Sequence, residues 1–235
     1  MDDCLEGRIV GVNQVNNIQK QEMFNLLTKN FDGYNRDNFE KDLSQKTDVI
    51  LLETSTGKVK GFTTIQHLEV TYEDKPIKGV FSGDTIVDPA YWSKHDMFKK
   101  WLRYTLEKKE ESDKPLYWFL ICSGCRTYKI VPTFFADFHP RFDKEGTTYQ
   151  KNLLDLFAKQ KFGSDYDPNS GLIVFSNSQE RLKTDLAQVE ENKIRNPHVA
   201  YFLKRNPEYY KGHELACIVD ISNENLSFIG QRLIK

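Results

Sequence analysis

This sequence predicts a mixed α/β (α+β) fold: a largely antiparallel central sheet flanked by helices, with helical elaboration towards the C-terminus. Three observations predict it. Three β-rich segments follow one another across short turns, and the hydrophobic period then changes from two to about 3.6. A continuous apolar run, Leu116–Cys122, comes next. Strands joined by tight turns pair antiparallel, and a run without polar alternation suits a strand covered on both faces.

Each element has a local reason. Arg8, Ile9, Val10, Gly11 and Val12 read as a short strand. Asn16 is placed to cap a helix, with Gln19 three residues on closing a capping box. Phe24, Leu27 and Phe31 give that helix an apolar stripe. A second helix is predicted over 37–44, where Phe39 and Leu43 stand four apart. Residues 48–54, 59–71 and 77–87 form the meander, separated by Ser55-Thr56-Gly57-Lys58 and Glu73-Asp74-Lys75-Pro76. β-Branched and aromatic side chains favour the strand state there. Phe98, Trp101, Leu102, Thr105 and Leu106 then line one side of a helix, with Ser93 and Asp96 offered as its capping box.

After the buried run, a helix or turn is expected near 127–130. Thr147 or Thr148 is placed to cap a helix carrying Tyr149, Leu153 and Phe157, which Gly163 stops. Residues 172–175 read as a strand. Leu182, Leu186 and Val189 read as one helical face. Asn196-Pro197 reads as a helix start, and 214–221 as a last strand. With no repeat or composition break, the expectation is one domain over 1–235. Its core spans about 8–142 plus the strands near 171–175 and 214–221, with a helical insertion at about 147–163.

Composition excludes several classes. There are 33 Lys+Arg against 34 Asp+Glu, a formal net charge of −1. Such balance gives no broad field to gather nucleic acid or an anionic membrane, so neither is expected as a partner. The cations Lys99, Lys100, Arg103, Lys108 and Lys109 are interleaved with Glu107, Glu110 and Glu111, as on a solvated helix face. Aromatic residues make up 13% of the chain, which argues against disorder. The longest wholly uncharged apolar run is Leu116–Cys122, far short of the roughly 18 residues of a membrane helix. Met1-Asp2-Asp3-Cys4 is acidic where a secretory leader is basic and then apolar. Four cysteines are too sparse for a disulfide scaffold, so a reducing, cytoplasmic compartment is expected.

Several constellations have a structural reading. Cys122-Ser123-Gly124-Cys125 has redox spacing but follows a meander and a helix, halfway along the chain, and reads as structural thiols. A zinc site would need more ligands than Cys217 and His139 offer singly, so no metal is expected. Ser93, His95 and Asp96 are of triad type, but triads meet through the fold rather than by adjacency. His67, His198 and His213 have no partner legible in the sequence. Tyr201, Phe202, Tyr209 and Tyr210 read as core completion.

The element order, together with Thr85-Ile86-Val87-Asp88-Pro89-Ala90-Tyr91-Trp92 ahead of an amphipathic helix, resembles the GNAT superfamily of acyl-coenzyme A-dependent N-acyltransferases. Val87, Pro89 and Tyr91 carry the match. The resemblance covers residues 8–142 and extends to the two later strands. It implies an acetyl-CoA or other acyl-CoA co-substrate, with the acyl group passing to an amine of a small molecule or a protein. It implies a pantetheine chain held by the backbone of Thr85 and Val87. The diphosphate would lie against Trp92, Ser93, Lys94, His95 and Met97 at the helix start. That turn contains no glycine, and Asp96 adds a negative charge where an anion would use the helix dipole. The resemblance also implies a base on the fourth strand, for which Asp84 is the candidate. By simple alternation Ser82 and Asp84 share one face, and burial would lift Asp84 towards neutrality. The competing reading of Asp84 is an ion-paired structural acid. Tyr128 is the candidate donor to the leaving thiolate, against a structural reading as a half-buried core aromatic. The alternative function is a catalytically inactive binding or regulatory protein on the same scaffold.

Overall fold

The first helix begins where its capping box directs. In a computed structural model, which describes residues 5–92, 95–176 and 180–235, the Asn16 side chain accepts from the Gln19 amide while Gln19 Oε1 accepts from the Asn16 amide. Strand β1 (Glu6–Gly11) leads into α1 (Asn17–Asn30), β2 (Phe31–Asp32) and α2 (Arg36–Ser44). The meander follows as β3 (Asp48–Glu53), β4 (Val59–Tyr72) and β5 (Lys75–Val87). Glu73 and Asp74 close the β4–β5 hairpin, both at positive φ (48° and 59°), the signature of a tight two-residue hairpin turn.

Helix α3 (Asp96–Glu110), strand β6 (Leu116–Cys122) and helix α4 (Cys125–Phe134) come next, then α5 (Thr148–Phe162). Thr147 caps α5 with Gln150 as its box partner. The remainder is β7 (Tyr166–Asp167), β8 (Leu172–Ile173), β9 (Arg181–Leu182), α6 (Thr184–Ala187), α7 (Glu191–Ile194), α8 (Pro197–Arg205), β10 (Glu214–Asp220) and α9 (Phe228–Ile234). Asn196 caps α8 with Pro197 in its first turn.

Eight strands form one sheet in the order β1-β3-β4-β5-β6-β10-β8-β7. Every neighbouring pair is antiparallel except β5 and β6, which run parallel because α3 carries the chain back across the sheet. Val49, Leu51, Phe62 and Ile86 face α1 and α2, and Phe81, Phe119 and Ile218 face α5. On the opposite face Ile50, Ile65, Val80, Trp118 and Leu120 pack against α3 and α4. Strand β6 is therefore covered on both sides, as its unbroken apolar run predicts. The helix read as an insertion, α5, is integral to this packing: Phe157 is fully buried and stacks on Phe119 at 6.0 Å. Among the described residues no helix is long and apolar enough to cross a membrane.

Two expectations are corrected. Leu182, Leu186 and Val189 do not share a helix: Leu182 pairs with Phe31 in a small second sheet, and α6 lasts four residues. Helix α3 starts at Asp96, behind His95 in a left-handed conformation (φ 49°) that gives no side-chain cap, and the capping box offered at Ser93 and Asp96 lies outside the described residues. Ser93 and Lys94 lie outside the described residues, so their expected place at the diphosphate does too. Finally, Ser82 and Asp84 lie on opposite faces. The β4–β5 register passes from Ile65↔Ser82 to Thr63↔Thr85, so Gly83 and Asp84 together oppose Thr64. This β-bulge inserts one residue and reverses the alternation downstream. Ser82 points to the Trp118 side, whereas Asp84 and Ile86 point to the α1/α2 side.

Candidate active site

Strands β5 and β6 pair only from Lys78↔Leu116 to Ser82↔Leu120. Beyond that rung β5 continues to Val87 and β6 to Cys122 without each other. The last tie is the Trp118 indole, which donates to Ser82 Oγ at 3.0 Å. The strands then part into a cavity of about 940 Å³. Its walls come from both faces of the sheet: Trp118, His95 and Arg126 on one side, Tyr34, Lys46 and Lys161 on the other.

The β5 edge facing this gap has usable backbone groups. The Asp88 amide donates to the Lys60 carbonyl, and Ile86 stands opposite Phe62. Antiparallel ladders alternate, so Thr85 and Val87 turn their N–H and C=O groups away from β4 and into the gap. One of these is taken: the Trp92 indole donates to the Val87 carbonyl at 2.6 Å. The Arg126 guanidinium lies 4.3 Å over the Trp92 ring, within cation–π range. Trp92 thus reaches across the outer end of the gap from β5 to α4.

Two helix N-termini flank the gap. At α3, His95 packs edge-on against Phe134, and Met97 is a buried core residue lining the cavity. Asp96 in its first turn opposes an anion there. At α4, Gly124 is the N-cap with no side-chain cap and no acid in the first turn. This uncapped helix start and Arg126 favour negative charge. Sequence reasoning placed a helix or turn near 127–130 but missed that its N-terminus, with Gly124 as N-cap and Arg126 in the first turn, faces the gap.

Asp84 lies on the other side of the gap. The Tyr34 hydroxyl donates to its Oδ1 at 3.1 Å. Burial pushes the Asp84 carboxyl up to about 7, with Asp42 adding to the rise and Lys46 and the Tyr34 bond opposing it. The nearly buried Lys46 ammonium is itself paired with Asp42 at 2.7 Å. Glu214, at the start of β10, lines the same cavity, and burial followed by the charge of Asp84 pushes it up to about 8. Lys161, held down to about 8 by burial and then by Lys46, completes this wall.

Tyr128 is displaced from its expected role. It is fully buried, its hydroxyl donates to the Pro140 carbonyl at 2.9 Å, and its ring packs against Phe138 and Phe202 outside the cavity. A group so committed has no path to a thiolate in the gap. Cys122 is also buried, with its thiol pushed up by desolvation and its Sγ 3.9 Å from that of Cys217. Such thiols are inert rather than redox-active. Phe202 is fully buried in the core, while Tyr209 lines the cavity with its hydroxyl on the Ala187 carbonyl.

The main elements keep the order on which the sequence resemblance rests: a strand, two helices, a three-strand meander, a helix, a buried strand and a further helix. No family model and no curated protein sequence matches the chain. Solved structures resemble parts of it. A probable N-acyltransferase from Enterococcus faecalis V583 matches at 15% identity and a TM-score of 0.43, over 57% of this chain and 33% of that one. This chain thus spans about a third of that protein's length. A GNAT-family N-acetyltransferase from Escherichia coli, in complex with CoA, matches at 16% identity and a TM-score of 0.39, over 57% and 71% of the two chains. Glucosamine-6-phosphate N-acetyltransferase from Arabidopsis thaliana matches at 13% identity and 0.41, over 62% and 99%.

The bulge glycine offers a test of the wall. A Cβ on Gly83 would stand 2.5 Å from Thr64 Oγ1 and 3.1 Å from Lys46 Cε. Thr64 and Lys46 are both buried. Gly83→Ala is expected to lower stability by about 1–3 kcal/mol, as overpacking does. It should also displace Lys46, whose charge opposes the rise at Asp84, and so raise the Asp84 pKa further. Urea unfolding and the Asp84 carboxyl chemical shift against pH check both; an unchanged midpoint would show that the wall yields freely.

Proposed function

We propose that the protein is an acyl-CoA-dependent N-acyltransferase. One observation carries this reading: parallel neighbours β5 and β6 part beyond Ser82 and Leu120 into a cavity holding the raised carboxyl of Asp84. The gap suits an extended pantetheine. Thr85 and the Val87 amide would hydrogen-bond it as a strand would, and Trp118 and Leu120 would line it. His95 and Met97 at α3, with Arg126 at α4, would face the diphosphate, with Trp92 swinging clear or stacking. The thioester, when bound, supplies an activated acyl carbon.

The residues of the chain do the rest. An amine acceptor enters from the α1/α2 side, opposite the co-substrate face. Asp84, as carboxylate, takes a proton from the acceptor ammonium and frees the nitrogen lone pair. Tyr34 orients Asp84 through its hydroxyl. The N–C bond forms as the C–S bond breaks, the acylated nitrogen gives its second proton to the departing thiolate, and the thiol leaves on the α3/α4 side. The acceptor belongs to a small molecule or a protein.

A second reading has its own support. Trp92 occupies the Val87 carbonyl and Asp96 stands at the first turn of α3, which suits a scaffold that binds without transferring. Calorimetric titration with acetyl-CoA separates the two. Saturable binding is expected, weakened by Arg126→Ala. Absence of binding at millimolar acetyl-CoA would leave only the second reading.

A further inference from the structure

Resting on the transferase reading, the geometry points to an acceptor with two positive charges: we propose that Asp84 receives the reacting amine of a diamine- or polyamine-class substrate, while Glu214 pairs with its second ammonium. The two carboxylates reach one cavity from separate elements, Asp84 from the β5 bulge and Glu214 from the first residue of β10. Glu180, just before β9, lines the same wall and interacts electrostatically with both.

The protein provides little to neutralise Glu214. The Glu214 carboxylate makes no hydrogen bond or ion pair with any described residue. Asp84 has only the Tyr34 hydroxyl as a direct partner among the described residues. The nearby cations act on Asp84 rather than on Glu214: Lys46, paired with Asp42, and Lys161, whose ammonium lies 5.0 Å over the Phe81 ring, both interact electrostatically with Asp84. An acid left unpaired in a desolvated wall is costly unless something cationic meets it. A monoamine at Asp84 would satisfy one carboxylate and leave Glu214 unmatched. A second ammonium on the same molecule meets it, and the apolar part of the cavity suits the methylene spacer between them. Cation binding would also strip protons from groups that burial holds partly protonated near neutrality.

The test is calorimetric titration of the whole chain with α,ω-diamines of three to eight carbons and with the matching monoamines, at pH 7 in two buffers of different ionisation enthalpy. The best diamine is expected to bind at least tenfold tighter than its monoamine, with net proton release. Glu214→Gln, which keeps shape and removes charge, should abolish that preference while acetyl-CoA binding stays unchanged; circular dichroism confirms that the variant is folded. A diamine that binds no tighter than its monoamine, or a preference that survives Glu214→Gln, overturns the inference. The two readings fail separately. Diamine preference without acetyl-CoA binding would sink the transferase and keep the dication site, whereas acetyl-CoA binding without diamine preference would do the reverse.

Discussion

Asp84→Asn should reduce turnover by about 10²–10⁴-fold, the usual contribution of a positioned general base, with little change in acetyl-CoA affinity. Asn keeps the shape and can still accept from the Tyr34 hydroxyl, so geometry is retained while the proton acceptor is lost. The wild-type pH profile should show the same group. Asp84 works as carboxylate, so kcat/KM should fall as pH drops through about 7 and level off above it. The variant should lose that limb. Stability should move the opposite way. A carboxyl whose folded pKa is raised from 3.8 binds more protons folded than unfolded between its unfolded value and about 7. Its contribution is fully present below the unfolded pKa and is lost as pH rises through the folded one. At pH 8 the wild type therefore carries a buried charge that Asp84→Asn removes, and the variant should melt at a higher temperature. This is the trade expected where function keeps a strained charge in place. Equal turnover in the two proteins would remove Asp84 from the chemistry.

Trp118→Ala should cost about 3–5 kcal/mol, the range for deleting a large buried aromatic. The indole lies 4.3 Å from the Trp101 ring and 5.9 Å from Phe98, so the variant opens a void between β6 and α3. It also cuts the last tie between the parting strands, because Ser82 Oγ loses its Trp118 donor. Ser82→Ala isolates that second effect. It leaves the Trp118 N–H buried and unpaired, at about 1–3 kcal/mol, without creating the void. Denaturant unfolding should rank the two in that order, and acetyl-CoA affinity should fall in both as the gap widens. If Ser82→Ala binds acetyl-CoA like the wild type, the rung does not set the width of the gap.

Much of the fold was legible because its causes are local. The capping boxes at Asn16 and Thr147 involve residues three apart. The hairpin at Glu73-Asp74 and the doubly buried strand Leu116–Cys122 are likewise written in contiguous residues. Asp84 could be picked out as an acid in a strand. Its direction could not, because period two holds only until a residue is inserted, and the bulge at Gly83 shows itself only against β4. Tyr128 illustrates the same limit. Its place in a helix after the buried strand was readable, but whether that helix turns it to the gap or to Phe202 depends on α8, far along the chain. Glu214 carried no signal as a site residue, since it reads as the polar start of a strand.

The sequence alone determined the order and type of the main elements, the antiparallel meander, and the presence of an acid at the end of its third strand. Those follow from side-chain periodicity, turn chemistry and capping, each acting over a few residues. Tertiary structure alone decided that β5 and β6 part after one last rung, that Trp92 spans the opening, and that Asp84, Glu180 and Glu214 share a cavity. Such features depend on which distant segments exclude water from one another, and burial of that kind is a property of the assembled sheet.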